Sequence, residues 1–481
     1  MPNASTQQWD IIIVGAGTAG IPCAITAAEN GATVVVIEKA NEIGGTIYIS
    51  AGHMSGGGTR RQQERGIVDS PEDHFDDIIR ISHDTADREI AWLAVQEAPY
   101  TLNWLDDLGF PFVEDTPKIL HGHEAYSIAR TVWGIDGANS ILETLRPLWN
   151  KFVASGNITP LLEHEMTDLI IKDGAVLGIQ AQQPDGNTVE IRAQAIVLTT
   201  GGYGANPKLF REITPNHPHL LTTAKATSTG DGILAAERIG GKVRNADLHI
   251  PSLGGIELSE GRADYNSVWA ILSTASYRLP REIYVNIHGE RFMAEDFESA
   301  HARESAVAAQ PDHTFWLIFD DLARTNGDPL IRQWSHERLL EEFDQNDTFR
   351  KAETIAELAN KTTLPEDALT ATILHFNQSV IDQVDVNFGR QYLKHPILQP
   401  PFYGIRTRGT VLITFGGLQV DRQLRVLHNG GQPIQNLYAA GEAIGAGATC
   451  GKSFCGGMMV TPCLSFGRIL GRTLAPKKES S

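Results

Sequence analysis

The chain has 481 residues, of which 42% are hydrophobic, and its 58 acidic and 40 basic side chains give a formal net charge of −18. A chain of this length can bury a large core, and its size predicts two or more domains. The acidic balance argues against nucleic acid or an anionic membrane surface as a partner, and no apolar run is long enough to span a bilayer.

The N-terminus and the cysteine content bear on where the protein works. Residues Met1 to Trp9 are polar and lack the basic start and the apolar core of a signal peptide. Four cysteines in so long a chain do not make a disulfide scaffold. We therefore expect a soluble cytoplasmic enzyme with no membrane span.

A glycine-rich turn between two apolar runs is the first feature that carries chemistry. The runs Asp10–Val14 and Thr33–Ile37 are short and rich in β-branched residues, as expected for buried parallel strands. Between them, the sequence Gly15-Ala16-Gly17-Thr18-Ala19-Gly20 opens a helical run that ends at Gly31. Such glycines permit a tight turn, let a pyrophosphate approach the backbone and let the helix pack closely on the strand. The pattern is typical of dinucleotide binding.

Glu38 and a second glycine pair narrow the choice of dinucleotide. Glu38 ends the second strand, where its carboxylate can accept both hydroxyls of an adenosine ribose and disfavours a 2′-phosphate. The motif therefore predicts FAD or NAD rather than NADP. The pair Gly44-Gly45 lies just beyond, in a loop that the longer FAD needs and that NAD does not.

The next elements are helices and then strands. Helical patterns cover residues 71–82 and 88–108, and the first begins at Ser70 with Asp73 in a capping position. From Ile158 onward, four short runs with Asp-Gly turns among them predict an antiparallel meander. These runs are Ile158–Leu162, Thr167–Lys172, Val176–Gln182 and Val189–Arg192.

The region from Leu248 to about Gly409 differs from the rest of the chain in its motifs and composition. It lacks glycine-rich fingerprint loops and mixes strands with acidic, alanine-rich helices. We interpret it as an inserted second domain that is closed by a proline-rich hinge at Pro396–Pro401. The remainder resembles the first part in its motifs, with a glycine-rich loop after Glu442 and a terminal helix from about Thr461.

These motifs together resemble the flavoprotein family of soluble fumarate reductases, succinate dehydrogenase flavoprotein subunits and 3-ketosteroid Δ1-dehydrogenases. The resemblance covers nearly the whole chain. Besides the first glycine motif and Glu38, it rests on Gly44-Gly45, Thr200–Gly204, Thr229–Gly232, Asn286–Phe292, Gly416–Asp421 and Ala440–Glu442. It implies an α/β fold with a Rossmann-like FAD-binding domain in two segments, 1–247 and 410–481. An α+β capping domain, 248–409, is inserted between them, and the flavin lies at the junction.

The resemblance also implies which residues bind the cofactor. Some family members link FAD to a histidine where this sequence has Thr46, so we expect non-covalent FAD. The contacts carried over are Gly15, Ala16, Gly17, Thr18, Ala19, Gly20, Glu38, Lys39, Gly45, Thr46, Ala51, Gly52, Thr200, Gly201, Gly202, Asp231, Gly441, Glu442, Thr461, Pro462 and Leu464. The last three would begin a helix whose N-terminus stabilises the anionic reduced flavin.

The ionic groups of the fumarate reductases are not matched. Ser299 stands where that family has a proton-donating arginine, Ile413 where it has a carboxylate-binding histidine, and Phe454 where it has a later arginine. A dicarboxylate without these groups would lose its hydration without compensation. We therefore do not expect fumarate to be the substrate.

The C-terminal run from Gly456 to Gly467 resembles the ketosteroid-dehydrogenase branch, whose members have a proline at the position of Pro462. That branch removes two hydrogens beside a ketone: the carbonyl is polarised, a tyrosine takes the α-proton and flavin N5 takes a hydride. We predict desaturation of a cyclic ketone, either a small oxo-cyclohexane carboxylic acid or a 3-ketosteroid. The alternatives are a fumarate-reductase-like ene reductase and a non-catalytic flavin electron carrier. The sequence does not identify the electron acceptor.

The tyrosine of that branch has no counterpart in Asp296–Ser299, so the base must come from elsewhere. Tyr403 at the predicted hinge is a candidate to polarise the carbonyl, and its alternative is a packed aromatic. Tyr126 is a candidate base, and His123 shares its loop. Arg408 is a candidate either to lower the pKa of a tyrosine or to hold a substrate carboxylate, although most such arginines are solvated.

Cys450 and Cys455 have the four-residue spacing of a flavin disulfide oxidoreductase dithiol. In that family the pair follows the first glycine pair, whereas here Thr46 is followed by Ile47 and no cysteine. We therefore expect these cysteines to be small packing residues. No cluster of histidine, cysteine and carboxylate residues has the spacing of a metal site.

Overall fold

The computed structural model describes residues 8–263, 278–327, 329–331 and 334–476. Residues 1–7, on which most of the signal-peptide expectation rests, lie outside this part. The described residues form two eight-stranded sheets and two two-stranded pairs. Among them, no helix is both long enough and apolar enough to cross a membrane.

The first sheet is built around its first strand. Gln8–Val14 lies between Val34–Glu38 and Thr188–Leu198 and runs parallel to both. The strand is buried along most of its length, which explains why its apolar run is continuous rather than alternating. The strands of this sheet are Gln8–Val14, Val34–Glu38, Ile158–Leu162, Glu165–Lys172, Ala175–Gln182, Thr188–Leu198, Arg425–Leu427 and Pro433–Ala439.

The predicted meander is confirmed in part. Glu165–Lys172, Ala175–Gln182 and Thr188–Leu198 pair antiparallel in sequence order. Ile158–Leu162 was wrongly assigned to the meander, because it pairs in parallel with Val34–Glu38 at the other edge of the sheet. Its apolar residues satisfy either partner, so the local pattern does not decide between the two pairings.

Segments from both ends of the chain share this sheet. Pro433–Ala439 pairs in parallel with Thr188–Leu198. The C-terminal helix Val460–Leu474 then packs on the helix Gly20–Glu29, and the fit is close at Gly467, where a Cβ atom would lie 2.2 Å from the carbonyl oxygen of Ala19. The glycine-rich turn is therefore enclosed by residues that are distant in sequence.

The second sheet forms most of the region predicted as the cap. Its strands Thr314–Asp320 and Phe402–Val411 pair antiparallel, and the first is buried throughout. Leu221–Thr222 pairs in parallel with Phe402–Val411, so one strand of this sheet precedes the predicted boundary at residue 248, and the domain bounds stay a prediction. The strands are Leu221–Thr222, Ser252–Gly255, Glu257–Ser259, Arg262–Ala263, Ile283–Asn286, Thr314–Asp320, Phe349–Ala352 and Phe402–Val411.

Two short pairs and a set of helices complete the fold. Met54–Ser55 pairs with Thr131–Val132, and Val243–Arg244 pairs with Gly417–Leu418. The described α-helices are Gly20–Glu29, Arg60–Glu64, Pro71–Ile81, Arg88–Asp107, Asn139–Ala154, Pro207–Ile213, Asp231–Arg238, Ala300–Ala308, Asp321–Thr325, His336–Gln345, Ile355–Thr362, Glu366–Asp382, Gly447–Cys450 and Val460–Leu474. The predicted helix N-cap at Ser70 is confirmed, because the Ser70 hydroxyl oxygen accepts a hydrogen bond from the Asp73 N–H at 3.0 Å.

Candidate active site

A long cleft lies between the first sheet and the second. Parallel strands of the first sheet end on it at Val14 and Glu38, and Thr199, which follows the strand Thr188–Leu198, also lines it; this is where open α/β sheets bind ligands. The opposite wall includes Ser252 and Leu253 of the second sheet. The cleft therefore has the sequence-predicted glycine turn on one side and the cap region on the other.

Two glycines of the turn are required by the close packing of the protein itself, and a third leaves space for a ligand. Gly15 has a φ of +103°, and a Cβ atom there would lie 2.3 Å from the Thr199 carbonyl oxygen. A Cβ atom at Gly20 would lie 1.9 Å from the Gly15 carbonyl oxygen. At Gly17, by contrast, a Cβ atom would meet no protein atom within 4 Å, and this residue lines the cleft. Gly17 thus leaves room for a group that is not part of the protein.

Glu38 is held in place by backbone groups on both sides. The Ala16 N–H donates to its Oε2 atom and the Ala40 N–H donates to its Oε1 atom, each at 2.8 Å. Each carboxylate oxygen retains capacity for a further hydrogen bond. Because Glu38 lines the cleft beside the turn, it fits the predicted ribose-binding role.

The loop after Glu38 closes over the turn. The Gly44 N–H donates to the Ala16 carbonyl oxygen at 2.8 Å, and the 3-10 helix Gly45–Ile49 follows. Gly52 is confined, because a Cβ atom there would lie 2.4 Å from the Ala138 nitrogen. Gly45, Thr46, Ala51 and Gly52 all line the cleft.

Polar groups from elsewhere in the chain complete this end of the cleft. The Lys39 ammonium donates to Asp231 Oδ2 at 2.6 Å and also donates to Thr229. Thr200 Oγ1 is buried and has no hydrogen-bond partner in the protein. Thr18, Ala19, Lys39, Thr200, Gly201, Asp231, Gly441 and Glu442 line the cleft with the residues already named. An unpartnered hydroxyl and an open glycine that line the same cleft are what a bound dinucleotide would explain.

Several predicted contacts support the cleft wall from behind instead of lining it. Ala16 orients Glu38, and Gly20 lets the helix approach the turn. Gly202 leaves room for the Glu442 carboxylate, since a Cβ atom there would lie 2.3 Å from Glu442 Oε1. The Thr414 N–H donates to that carboxylate at 2.8 Å, and burial raises the pKa of Glu442 to about 7.

The C-terminal helix begins at the cleft, but the side chains that it places on the cleft wall are not the predicted ones. Thr461 accepts a hydrogen bond from the Ser55 N–H at 2.9 Å, and Pro462 and Leu464 are buried in the packing of the helix. The residues that line the cleft are Met459, Val460 and Cys463. The helix turns Thr461, Pro462 and Leu464 away from the wall, which a sequence run alone does not reveal.

The wall between the C-terminal helix and the cap is mainly apolar. Leu253, Ile413 and Phe454 line it, together with His53 and His123. Among the described residues of the cleft lining, the one lysine or arginine is Lys39, which is already paired with Asp231. Of the residues that the structure describes, none form a group of three or more histidine, cysteine or acidic side chains able to hold a metal.

Both histidines of this wall are neutral at pH 7. Burial lowers the pKa of His53 to about 4 and that of His123 to about 4. The His123 ring stacks on Phe454, with the ring centroids 5.2 Å apart and the planes 18° apart. His123 Nδ1 is buried without a hydrogen-bond partner. A neutral imidazole with a free nitrogen can donate a hydrogen bond to a substrate oxygen.

Glu304 is a titratable group that the sequence interpretation missed. It lies on the helix Ala300–Ala308, lines the cleft, and has an Oε2 atom that is buried without a hydrogen-bond partner. Burial raises the pKa of Glu304 to about 8, against the opposing effect of the Arg303 charge. Ser299, a position that the sequence analysis compared with the fumarate reductases, caps the helix that carries Glu304. Inspection of the residues just after Ser299 could therefore have identified Glu304 from the sequence.

Of the four catalytic candidates, His123 alone lines the cleft. Tyr403 is buried inside the second sheet, where it stacks on Phe319 and donates to Asp321 Oδ1 at 2.9 Å. It is therefore a packed aromatic with a satisfied hydroxyl. Arg408 donates to Thr314 Oγ1 at 3.2 Å and does not reach the cleft.

Tyr126 lies close to the cleft but is committed to the protein. Its hydroxyl donates to the Gly456 carbonyl oxygen at 2.5 Å, and burial raises its pKa well above the usual value. A phenol that is hydrogen-bonded to a carbonyl and kept neutral is a poor proton acceptor. Ser299 is likewise committed, because it caps the helix Ala300–Ala308 and donates to Glu124.

Comparison with known proteins agrees with the prediction that this cleft binds a dinucleotide. The sequence matches the family described as "FAD binding domain" over residues 10–458. The chain belongs to this FAD-binding family. Its cofactor is FAD, and the predicted α/β FAD-binding fold is confirmed by related flavoprotein structures. The family relatives include oxidoreductases that act on carbon–carbon bonds.

Three relatives indicate the range of similar proteins. The chain is 30% identical over 479 residues to an NADH:fumarate oxidoreductase from Klebsiella pneumoniae, covering 99% of this chain but only 48% of that protein. It is 25% identical to a 3-oxosteroid 1-dehydrogenase from Mycolicibacterium smegmatis, covering 99% of this chain and 98% of that protein. The solved structure of a flavocytochrome c3 fumarate reductase is similar with a TM-score of 0.75 and 25% identity, covering 98% of this chain and 78% of that one.

FAD is expected to leave the polypeptide on denaturation. Thr46 stands where linked members of the family have a histidine, and a threonine hydroxyl forms no such bond to the flavin. Acid precipitation should leave the yellow colour in the supernatant. Flavin fluorescence that stays with the denatured polypeptide in a gel would contradict non-covalent binding.

Proposed function

We propose that this chain moves two hydrogens between FAD and the α and β carbons of a substrate carbonyl compound, desaturating an uncharged cyclic ketone such as a 3-ketosteroid or a smaller ring. The observation that carries the proposal is the composition of the cleft wall. Apolar Leu253, Ile413 and Phe454 line the same cleft as Glu304, whose Oε2 atom is buried without a hydrogen-bond partner. Such a wall suits an apolar ring whose reaction requires a single proton transfer.

Glu304 is assigned the proton transfer. In the desaturating direction, its carboxylate accepts the proton from the carbon next to the carbonyl, and its free Oε2 atom is the acceptor. A pKa of about 8 makes this carboxylate a stronger base than an ordinary glutamate. Bound FAD supplies the two-electron half of the chemistry by exchanging a hydride with the next carbon.

His123 is assigned the polarisation of the carbonyl. Its Nδ1 atom has no protein partner, and its stacking on Phe454 fixes the plane of the ring. A hydrogen bond from this neutral imidazole would stabilise the negative charge that develops on the carbonyl oxygen as the α-proton leaves. His53, also neutral and in the same wall, is a second donor to that oxygen.

The wall does not support a carboxylic acid substrate. Arg408, the residue that could have held a carboxylate, is bound to Thr314 outside the cleft. Lys39 is paired with Asp231, so it does not offer a free charge to a substrate. The oxo-cyclohexane carboxylic acid is therefore a weaker fit than a neutral ketone.

Reduction of an enone is a second candidate, and one observation favours it. With a pKa of about 8, Glu304 is mostly protonated at pH 7, which is the form that donates a proton to carbon in the reducing direction. The same residues serve both directions. The electron acceptor or donor available to the protein would then decide which direction prevails.

Product analysis tests the proposal. The FAD-loaded enzyme is incubated with cyclohexanone, 4-oxocyclohexanecarboxylate or a 3-ketosteroid and an artificial electron acceptor, and in parallel with cyclohexenone and an artificial donor. We expect mass loss of two hydrogens from a neutral ketone, or gain of two by the enone. Failure of every ketone and enone would favour the non-catalytic electron carrier.

Fumarate is expected not to reoxidise the reduced enzyme at a useful rate. Ile413 and Phe454 present apolar surface to the cleft, and no arginine occurs among its described lining residues, so a dianion would be desolvated without a free counter-charge on the cleft lining. The measurement is stopped-flow absorbance of the reduced flavin after mixing with fumarate, with cyclohexenone as the comparison. Rapid reoxidation by fumarate would overturn this part of the proposal.

A further inference from the structure

The loop that carries His123 is anchored to two other segments of the chain. The Ser127 N–H and hydroxyl both donate to Asp77 Oδ2, at 2.8 and 2.7 Å. The Tyr126 hydroxyl donates to the Gly456 carbonyl oxygen at 2.5 Å. These hydrogen bonds hold the loop, and the imidazole with it, in one place beside the cleft.

Glu124, the next residue after His123, reaches from this loop to the helix Ala300–Ala308. Its Oε1 atom accepts a hydrogen bond from the Ser299 hydroxyl and another from the His301 N–H, the latter at 2.9 Å. Ser299 is the N-cap of the helix, and His301 lies in its first turn. A carboxylate is favourable there, because it meets unpaired N–H groups and the positive end of the helix dipole.

The same helix carries Glu304. This residue lies three positions after His301, which is less than one helical turn, so a contact that fixes the first turn of the helix also fixes the backbone from which the Glu304 side chain extends. No other hydrogen bond joins the described residues of the loop 121–127 to the described residues of this helix. One carboxylate thus links the two groups assigned to proton transfer and to polarisation of the carbonyl.

We propose that Glu124 is a positioning residue that sets the place of the Glu304 carboxyl group relative to the His123 ring. The inference rests on the proposed function, since Glu124 has this task only if those two groups act on one substrate. Glu124 itself does not line the cleft. It therefore acts through Glu304, and displacement of a reacting group by about 1 Å can cost about 100-fold in rate.

The charge of Glu124 has a second effect that can be separated from its hydrogen bonds. Burial is the main cause of the raised pKa of Glu304, the Arg303 charge opposes it, and the Glu124 charge adds to it. Both hydrogen bonds end on the same Glu124 oxygen, so the single carbonyl oxygen of a glutamine can accept them both. Glu124→Gln should therefore keep Glu304 in place while lowering its pKa, and the carboxylate that desaturation requires should then form at lower pH.

Single-turnover kinetics of the FAD-loaded protein test the proposal. Wild type and variants are mixed anaerobically with a 3-ketosteroid or cyclohexanone or, in the reducing direction, with cyclohexenone, and the flavin absorbance is followed over substrate concentration and pH. Glu124→Leu should lower the saturated rate by about 10- to 100-fold with little change in the half-saturating concentration, because a reacting group is displaced while the binding wall is kept.

Two further variants serve as comparisons. Glu124→Gln should react at nearly the wild-type rate, with the rise of the desaturation rate moved to lower pH. His121→Ala, the matched control at an exposed position of the same loop, should leave both the rate and its pH dependence unchanged.

A double variant distinguishes positioning from a general structural role. If Glu124 acts through Glu304, Glu124→Leu should cause no further loss in a Glu304→Gln background, whereas damage to the whole cleft would slow both backgrounds alike. Ser299→Ala removes one of the two donors, so it should give a smaller loss of the same kind, and it carries the test if Glu124→Leu fails to fold.

The outcomes separate this inference from the proposed function. The positioning role is overturned, and the proposed function survives, if Glu304→Gln is slow while Glu124→Leu and Ser299→Ala react as wild type, or if Glu124→Leu slows both backgrounds equally. If Glu304→Gln reacts as wild type, or if no ketone or enone reacts, the proton transfer assigned to Glu304 fails and the positioning role fails with it.

Discussion

Glu304→Gln is expected to slow hydrogen transfer by about 10²–10⁴-fold while FAD stays bound, because the amide keeps the size of the side chain but neither accepts nor donates the proton. Glu304 lines the cleft with an unpartnered oxygen and makes none of the contacts described around the glycine turn. Flavin content and melting temperature should therefore be nearly unchanged. Glu298→Gln, an exposed position just before the same helix, is the matched control and should behave as wild type.

The pH dependence of the rate gives an independent check. Burial raises the pKa of Glu304 to about 8. Desaturation needs the carboxylate, so its rate should rise as pH increases through about 8. Enone reduction needs the acid, so its rate should fall over the same range. Glu304→Gln should remove this limb in either direction, and a limb that persists in the variant would assign the proton transfer to another group.

Gly17→Ala is expected to weaken FAD binding by about 10- to 100-fold, or about 1.4–2.8 kcal/mol, without destabilising the apoprotein. A Cβ atom at Gly17 meets no protein atom within 4 Å, yet it would occupy space in the cleft where the pyrophosphate approaches the backbone. The measurements are the FAD dissociation constant by fluorescence and the melting temperature of the apoprotein.

Gly15→Ala provides the contrast. Its Cβ atom would lie 2.3 Å from the Thr199 carbonyl oxygen, in a backbone conformation with a φ of +103°. We expect this variant to lower the melting temperature of the apoprotein as well as the affinity for FAD. If Gly17→Ala binds FAD as tightly as wild type, the cofactor does not contact the turn as proposed.

The cofactor end of the cleft could be predicted from the sequence because its signals are local. The strand Gln8–Val14, the turn, the helix Gly20–Glu29 and Glu38 follow each other within one supersecondary unit. Gly20 is required by its near neighbour Gly15, whose carbonyl oxygen would lie 1.9 Å from a Cβ atom there, and Gly15 itself adopts a φ of +103° within the turn. Local patterns of this kind predict well.

The substrate end could not be predicted in the same way, because it is assembled from distant segments. Glu304 lies on a helix of the cap region, whereas Ile413 and Phe454 lie after it in the chain. Tyr403 stands near the proline-rich segment, but the register of Phe402–Val411 against Thr314–Asp320 places it opposite Phe319, inside the sheet. A shift of one residue would have reversed its face, and no local signal specifies that register.

The most direct test of hydrogen transfer beside a carbonyl is anaerobic stopped-flow spectroscopy of the oxidised, FAD-loaded protein. The protein is mixed with a saturated cyclic ketone, first a 3-ketosteroid and then cyclohexanone, and the flavin absorbance is followed without any other electron acceptor. We predict that the flavin bleaches, that the rate saturates with ketone concentration, and that deuterium at the α and β carbons slows it. A flavin that stays oxidised with every ketone, and that is not reoxidised from its reduced form by the matching enones, would contradict the proposed function.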